Sequence, residues 1–146
     1  PSLQDMTESG AETVNLNSSA GGNIQAMLVD DVAMNLKVLQ AMLKKMNVSC
    51  ILAESAEEAL ELLRKGRRAD IILTDLWMPG LSGSAFADLL KQDEATAKIP
   101  LVAVTADTQM PAEEAVKFKQ VLTKPITRQA LIDVFKAYDL HIAVQK

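Results

Sequence analysis

Asp70-Ile71-Ile72-Leu73-Thr74-Asp75-Leu76-Trp77-Met78-Pro79-Gly80 joins an unbroken apolar run to an acid and then to a turn. Ile71, Ile72 and Leu73 lack the alternation of a strand wetted on one side. They predict a strand covered on both faces, as in a parallel sheet. The run ends at Asp75, and Pro79-Gly80 reverses the chain. In open α/β sheets, ligands bind at the carboxyl ends of the strands, where this carboxylate would stand. A strand-end aspartate can also merely cap a loop, so its meaning depends on what the other strands bring beside it.

Upstream, Ile24–Val29 reads as a first strand closed by the acidic pair Asp30-Asp31. A helix is expected from about Ala33 to Met46, with Leu36, Leu39, Leu43 and Met46 on one stripe and Lys37, Lys44 and Lys45 in water. Val48–Ala53 is a second strand, in which Cys50 reads as a small apolar residue. Ser55-Ala56-Glu57-Glu58 has the form of a capping box opening a second helix, with Ala59, Leu60 and Leu63 inward and Gly66 as its C-terminal cap. The cations Arg64, Lys65, Arg67 and Arg68 read as a solvated helix end near the negative pole of its dipole.

Downstream, Gly80–Gly83 is loop and about Ser84–Lys91 a third helix. Ile99–Thr105 is a fourth strand, with Pro100 admissible only at its start. Pro111 opens a fourth helix to about Lys119. Val121–Thr123 is a fifth strand ending at Lys124-Pro125. Thr127 can cap a last helix with Leu131, Val134, Phe135 and Tyr138 as its apolar stripe. His141 has no partner in view and is read as a solvent residue. Strict alternation of five strands and five helices predicts an α/β fold, a doubly wound parallel sheet. Residues 1–23, rich in Ser, Thr, Asn, Glu and Gly, are expected to be a flexible tail or linker, 24–140 a single domain and 141–146 a C-terminal tail.

The 146 residues are 49% hydrophobic but only 3% aromatic, so the core must be aliphatic, with seven methionines contributing. A net charge of −4 and the lack of a long basic run argue against a nucleic-acid surface. The single cysteine excludes an internal disulfide and a thiolate zinc site. No apolar run approaches the roughly 20 residues that span a bilayer.

A βα alternation gathers the residues after each strand on one edge. Asp30 and Asp31, then Asp75, Thr105 and Lys124, would share one crevice. Three carboxylates that close cannot all stay ionised without a counter-charge, and a hard divalent cation such as Mg²⁺ is the natural partner. The ammonium of Lys124 and the hydroxyl of Thr105 suit the oxygens of a phosphoryl group. Asp30 and Asp31 are adjacent and placed to hold metal, whereas Asp75 stands alone and can act as nucleophile.

These features together resemble the receiver domains of two-component response regulators. The resemblance covers about Asn23 to Tyr138 and rests on Asp30-Asp31, Asp75 with Met78-Pro79-Gly80 and Gly83, Thr105-Ala106, and Lys124-Pro125. Asp30–Leu39 is especially similar to receivers fused to hybrid sensor histidine kinases. The resemblance implies a flavodoxin-like (βα)5 sheet in the order 2-1-3-4-5. It also implies phosphoryl transfer from a phosphohistidine to Asp75, and Mg²⁺ on Asp30, Asp31, Asp75 and the carbonyl of Trp77. Lys124 and Thr105 would contact the phosphoryl oxygens, the Lys124-Pro125 bond would be cis, and the small Ala106 would leave the group accessible. The implied partner is a histidine kinase or histidine phosphotransfer domain, whose helix would dock near Asn35, Val38 and Met42. A monomer or weak dimer is implied, without membrane or nucleic-acid contact. The location would be cytoplasmic, either free or as part of a membrane-bound hybrid kinase. On this reading the chain is a signalling domain rather than an enzyme.

Two positions depart from the pattern. Receivers often carry Tyr or Phe three residues before the lysine, where this chain has Val121, and Lys117–Gln120 lacks the glycine usual before the fifth strand, so the fourth helix is expected to be short or irregular. Trp77 is bulky where polar residues are frequent, either an exposed hydrophobe at the pocket mouth or a lid against water. A phosphorylation-independent pseudo-receiver remains an alternative. A haloacid-dehalogenase-like phosphohydrolase is disfavoured, because its second aspartate would stand where Trp77 is.

Overall fold

The computed structural model describes residues 24–106 and 111–137. The expectations for the leader, for Tyr138, for His141 and for the C-terminal tail lie outside the described residues.

The elements in chain order are β1 (Gln25–Val29), α1 (Ala33–Lys44), β2 (Ser49–Ala53), α2 (Ala56–Arg64), β3 (Ile71–Asp75), α3 (Gly83–Gln92), α4 (Glu94–Ala97), β4 (Leu101–Thr105), α5 (Ala112–Ala115), β5 (Gln120–Thr123) and α6 (Arg128–Ala137). The five strands form one sheet in the order β2-β1-β3-β4-β5, and every pairing is parallel. The doubly wound architecture expected from the strand pattern is therefore the one observed.

Within each apolar run the pleat sends alternate side chains to opposite faces. Ala26, Leu28, Ile71, Leu73, Val102 and Val104 join Leu36 and Leu43 of α1 and Leu131, Val134 and Phe135 of α6 in one core. Met27, Val29, Ile72, Leu101 and Ala103 join Ala56 and Ala59 of α2 and Phe86, Ala87 and Leu90 of α3 in the other. This is why the strands read as continuous hydrophobic segments. Each residue of a run is needed by one core or the other, and the largest wholly buried side chains, Phe86 and Phe135, anchor opposite faces.

The helix ends follow the capping residues. Ser55 Oγ accepts the Glu58 N–H at 3.0 Å. Glu58 Oε1 reaches back to the Glu54 N–H at 2.7 Å, one residue before the usual box partner. At the other end of α2 the N–H groups of Gly66 and Arg67 bond to the carbonyls of Leu63 and Leu62. Gly66 adopts φ +97°, so this is a Schellman closure of the kind the glycine foretold. Asn47, at φ +63°, does the same after α1, and it carries the chain into β2 with Val48 N–H bonded to Leu43 O at 3.0 Å.

Two differences from expectation concern the second half. An extra turn, α4, follows α3 because Asp93 Oδ1 accepts the Ala95 N–H at 3.0 Å and starts a new helix. The expected fourth helix is the single turn α5, with no residue of its own buried. Phe118, 6% exposed, is what anchors the stretch after it. Cys50 lies on β2, an edge strand, and burial pushes its thiol pKa up to about 12.

Candidate functional site

Strand register builds the site. Val29 pairs with Thr74, which sets Asp30 beside Asp75. Asp75 pairs with Val104 and Thr105 with Thr123, so Thr105 and Lys124 follow along the same sheet edge. Carboxylate oxygens of Asp30, Asp31 and Asp75 lie within 4.8 Å of one another. Residues 30, 75 and 124, distant in sequence, line one cavity of about 430 Å³ whose remaining wall is mainly apolar.

Asp30 is the most enclosed of the acids, 7% exposed. One of its oxygens accepts the Val32 N–H at 2.9 Å. The other accepts the Asn35 amide at 3.1 Å and the Lys124 ammonium at 3.3 Å. Three donors thus fix its orientation, and the Lys124 pair places a cation inside an otherwise anionic cluster. Asp31 is exposed. Asp75 is half-buried, with Oδ1 accepting the Leu76 N–H at 2.8 Å. Burial raises its pKa above the ordinary carboxylate value, Lys124 pulls it back, and Asp30 and Asp31 push it up again.

Thr105 is 1% exposed, and its carbonyl accepts the Lys124 N–H at 2.8 Å. The Lys124-Pro125 peptide is cis, as expected. Trp77 stands on the loop after β3 with 59% of its surface exposed, and Ala106 is also exposed.

The loop from Leu76 to Gly83 is closed by the Gly83 N–H donating to Leu76 O at 2.9 Å. A Cβ on Gly83 would stand 2.7 Å from Asp75 O and 2.9 Å from Leu76 Cα, so only glycine lets α3 start this close to the acid. On the outer side, Leu81 N–H donates to Glu57 Oε2 at 3.3 Å.

This geometry has known counterparts. The profile of the response regulator receiver domain family matches residues 26–136. The chain belongs to that family. Polar-differentiation response regulator DivK of Brucella ovis is 32% identical over 115 residues, covering 77% of this chain and 93% of the relative. The structure of a CheY-like receiver domain from Methylobacillus flagellatus superposes with a TM-score of 0.74 at 23% identity, over 80% of this chain and 99% of the other. The receiver domain of a sensor histidine kinase from Pseudomonas aeruginosa has a TM-score of 0.72 at 25% identity, over 80% and 98% of the two chains. That structure holds a magnesium ion in its active-site cleft.

Within this receiver domain the structure also shows what sequence reasoning misses. The sequence places Asn35 only on a docking face, yet its amide holds Asp30. The readable signal is an amide side chain in the first turn of the helix that starts two residues after the acidic pair. Glu57 gives no signal beyond its place in a capping box. Val121, at the position often aromatic in receivers, packs partly buried against the Phe86 and Phe118 side of the core. Among the described residues no helix is long and apolar enough to cross a membrane.

Proposed function

We propose that this receiver domain accepts a phosphoryl group on Asp75 from a phosphohistidine and passes on or switches a signal. The observation that carries the reading is the meeting of three carboxylates within 4.8 Å with the ammonium of Lys124. A merely structural fold has no use for like charges held that close.

The acids fit a hard divalent cation, since they offer oxygen donors only and one ammonium leaves them net negative. Asp30, Asp31 and Asp75, with the carbonyl of Trp77, would hold Mg²⁺, as the Pseudomonas receiver holds it in its own cleft. When bound, the ion supplies positive charge for the oxygens of the group in transfer. An ionised oxygen of Asp75 attacks phosphorus, the P–N bond to the donor imidazole breaks, and the imidazole leaves with the electron pair. Lys124 leaves Asp30 for a phosphoryl oxygen, and Thr105 supplies its hydroxyl to another, so charge is met by groups already positioned. Asn35 and the Val32 amide keep Asp30 oriented throughout.

The donor is a histidine kinase or histidine phosphotransfer domain. Its helix would lie along Asn35, Val38 and Met42 of α1, where Val38 is 54% exposed and all three line the cavity that opens to Asp75. Such donors place the domain in the cytoplasm, free or within a hybrid kinase.

The test is incubation with Mg²⁺ and acetyl phosphate, followed by intact mass and hydroxylamine treatment. A gain of one phosphoryl group, reversed by hydroxylamine and absent in Asp75→Asn, supports the reading. Steady turnover of many phosphomonoesters would indicate a phosphohydrolase. No mass gain, with acetyl phosphate or with a phosphohistidine donor, would indicate a pseudo-receiver.

A further inference from the structure

A four-residue polar network lies away from the acidic cluster and takes no part in the chemistry above. Lys117 Nζ donates to Ser84 Oγ at 2.8 Å and to Asp88 Oδ2 at 3.2 Å. It also pairs with Glu114 Oε2 at 3.4 Å, and Ser84 Oγ donates to the same Glu114 oxygen at 3.1 Å. Ser84 and Asp88 belong to α3, whereas Glu114 belongs to α5 and Lys117 follows it. The network therefore ties two elements about thirty residues apart in sequence.

Its place in the fold gives it leverage. Ser84 directly follows Gly83, whose backbone is packed on Asp75 O and bonded to Leu76 O. On the other side, α5 lies on the chain between Thr105 and Lys124, the two groups that are drawn toward a phosphoryl group. No residue of α5 is buried, so hydrophobic packing does not hold that turn. Phe118 anchors the following stretch, and the polar network is what fixes the turn to α3. Val121 supplies no aromatic ring to report on Thr105.

The geometry points to the Ser84–Asp88–Glu114–Lys117 network as a latch that holds α5 in the unphosphorylated arrangement and yields when Asp75 carries a phosphoryl group. This rests on the phosphoacceptor reading. It assigns coupling to a polar contact between helices, and the latch biases a two-state equilibrium that phosphorylation shifts.

Lys117→Met and Ser84→Ala test it, each checked for native circular dichroism. With Mg²⁺ and acetyl phosphate, Asp75 gains the phosphoryl group and acetate leaves with the electrons of the broken P–O bond. If the latch opposes this step, each variant labels about three- to tenfold faster than the wild type. The double variant gains less than the product of the two single gains, because both changes remove the Lys117–Ser84 bond while each alone leaves one other tie, Ser84–Glu114 or Lys117–Asp88. In the metal-free Ser84→Ala protein, the amides of Val116, Lys117 and Phe118, which bond within the turn, exchange hydrogen faster. Unchanged or slower labelling, rate gains that multiply, or unchanged exchange overturns the latch while leaving the phosphoacceptor reading intact. A wild type that takes no phosphoryl group overturns both.

Discussion

Asp75 is held at a cost that can be measured. Its folded pKa is raised, first by burial, so the folded state binds the proton more readily than the unfolded chain does. The stability it contributes is complete below the unfolded carboxylate value and is lost as pH rises through the higher folded value. Asp75→Asn removes that loss. In metal-free buffer the variant should melt above the wild type at neutral pH, with the gap closing as pH falls below the carboxylate range. Adding Mg²⁺ should narrow the gap at neutral pH, since it binds and stabilises the wild type more. Thermal unfolding across pH, with and without Mg²⁺, checks both parts. Lys124 bears opposite consequences for binding and for transfer. Its ammonium sits 3.3 Å from Asp30 and opposes a second cation there. Lys124→Met should bind Mg²⁺ several-fold more tightly by calorimetric titration, yet lose about 10²-fold or more in labelling rate, because a donor to the transferred oxygens is gone.

Gly83 and Gly66 separate two kinds of constraint on an element. A methyl group on Gly83 meets backbone atoms of Asp75 and Leu76 inside 3.0 Å, so α3 must back away from the acid. Gly83→Ala should cost about 1–3 kcal/mol in urea unfolding and weaken Mg²⁺ binding as well. At Gly66 a methyl would have no neighbour within 4 Å, but the backbone sits at φ +97°. Gly66→Ala should cost about 1–2 kcal/mol and leave Mg²⁺ affinity unchanged. Gly66 was legible because a helix end announces itself through cations and glycine together. The role of Gly83 was not, since the crowding comes from a strand terminus reached only after folding. The same distinction explains the misread helices. Asp93 could have been recognised as a cap for α4. The shortness of α5 was marked only by the missing glycine in Lys117–Gln120, and the residues that tie it to α3 are remote in sequence.

The whole sheet has a core on each face, one holding the ring of Phe135 and the other those of Phe86 and Phe118. Phe86→Ala and Phe135→Ala should each cost about 3–5 kcal/mol in denaturant unfolding. Because the two rings lie in separate clusters, their costs should add. Fold class was legible at this scale because short apolar runs alternating with helices leave few alternative topologies, whereas the strand order came from the resemblance to receiver domains. The crevice followed from the parallel alternation, which gathers the strand ends on one edge, whereas the hydrogen bonds that orient its acids did not. Cys50 offers a way to watch the sheet come apart. As the sole thiol in the chain, on the outermost strand and with its pKa pushed up to about 12, it is almost wholly un-ionised near neutrality. A disulfide-exchange dye would therefore stay colourless until the margin of the sheet frays, and its rate of colour development would clock that fraying without any probe being attached.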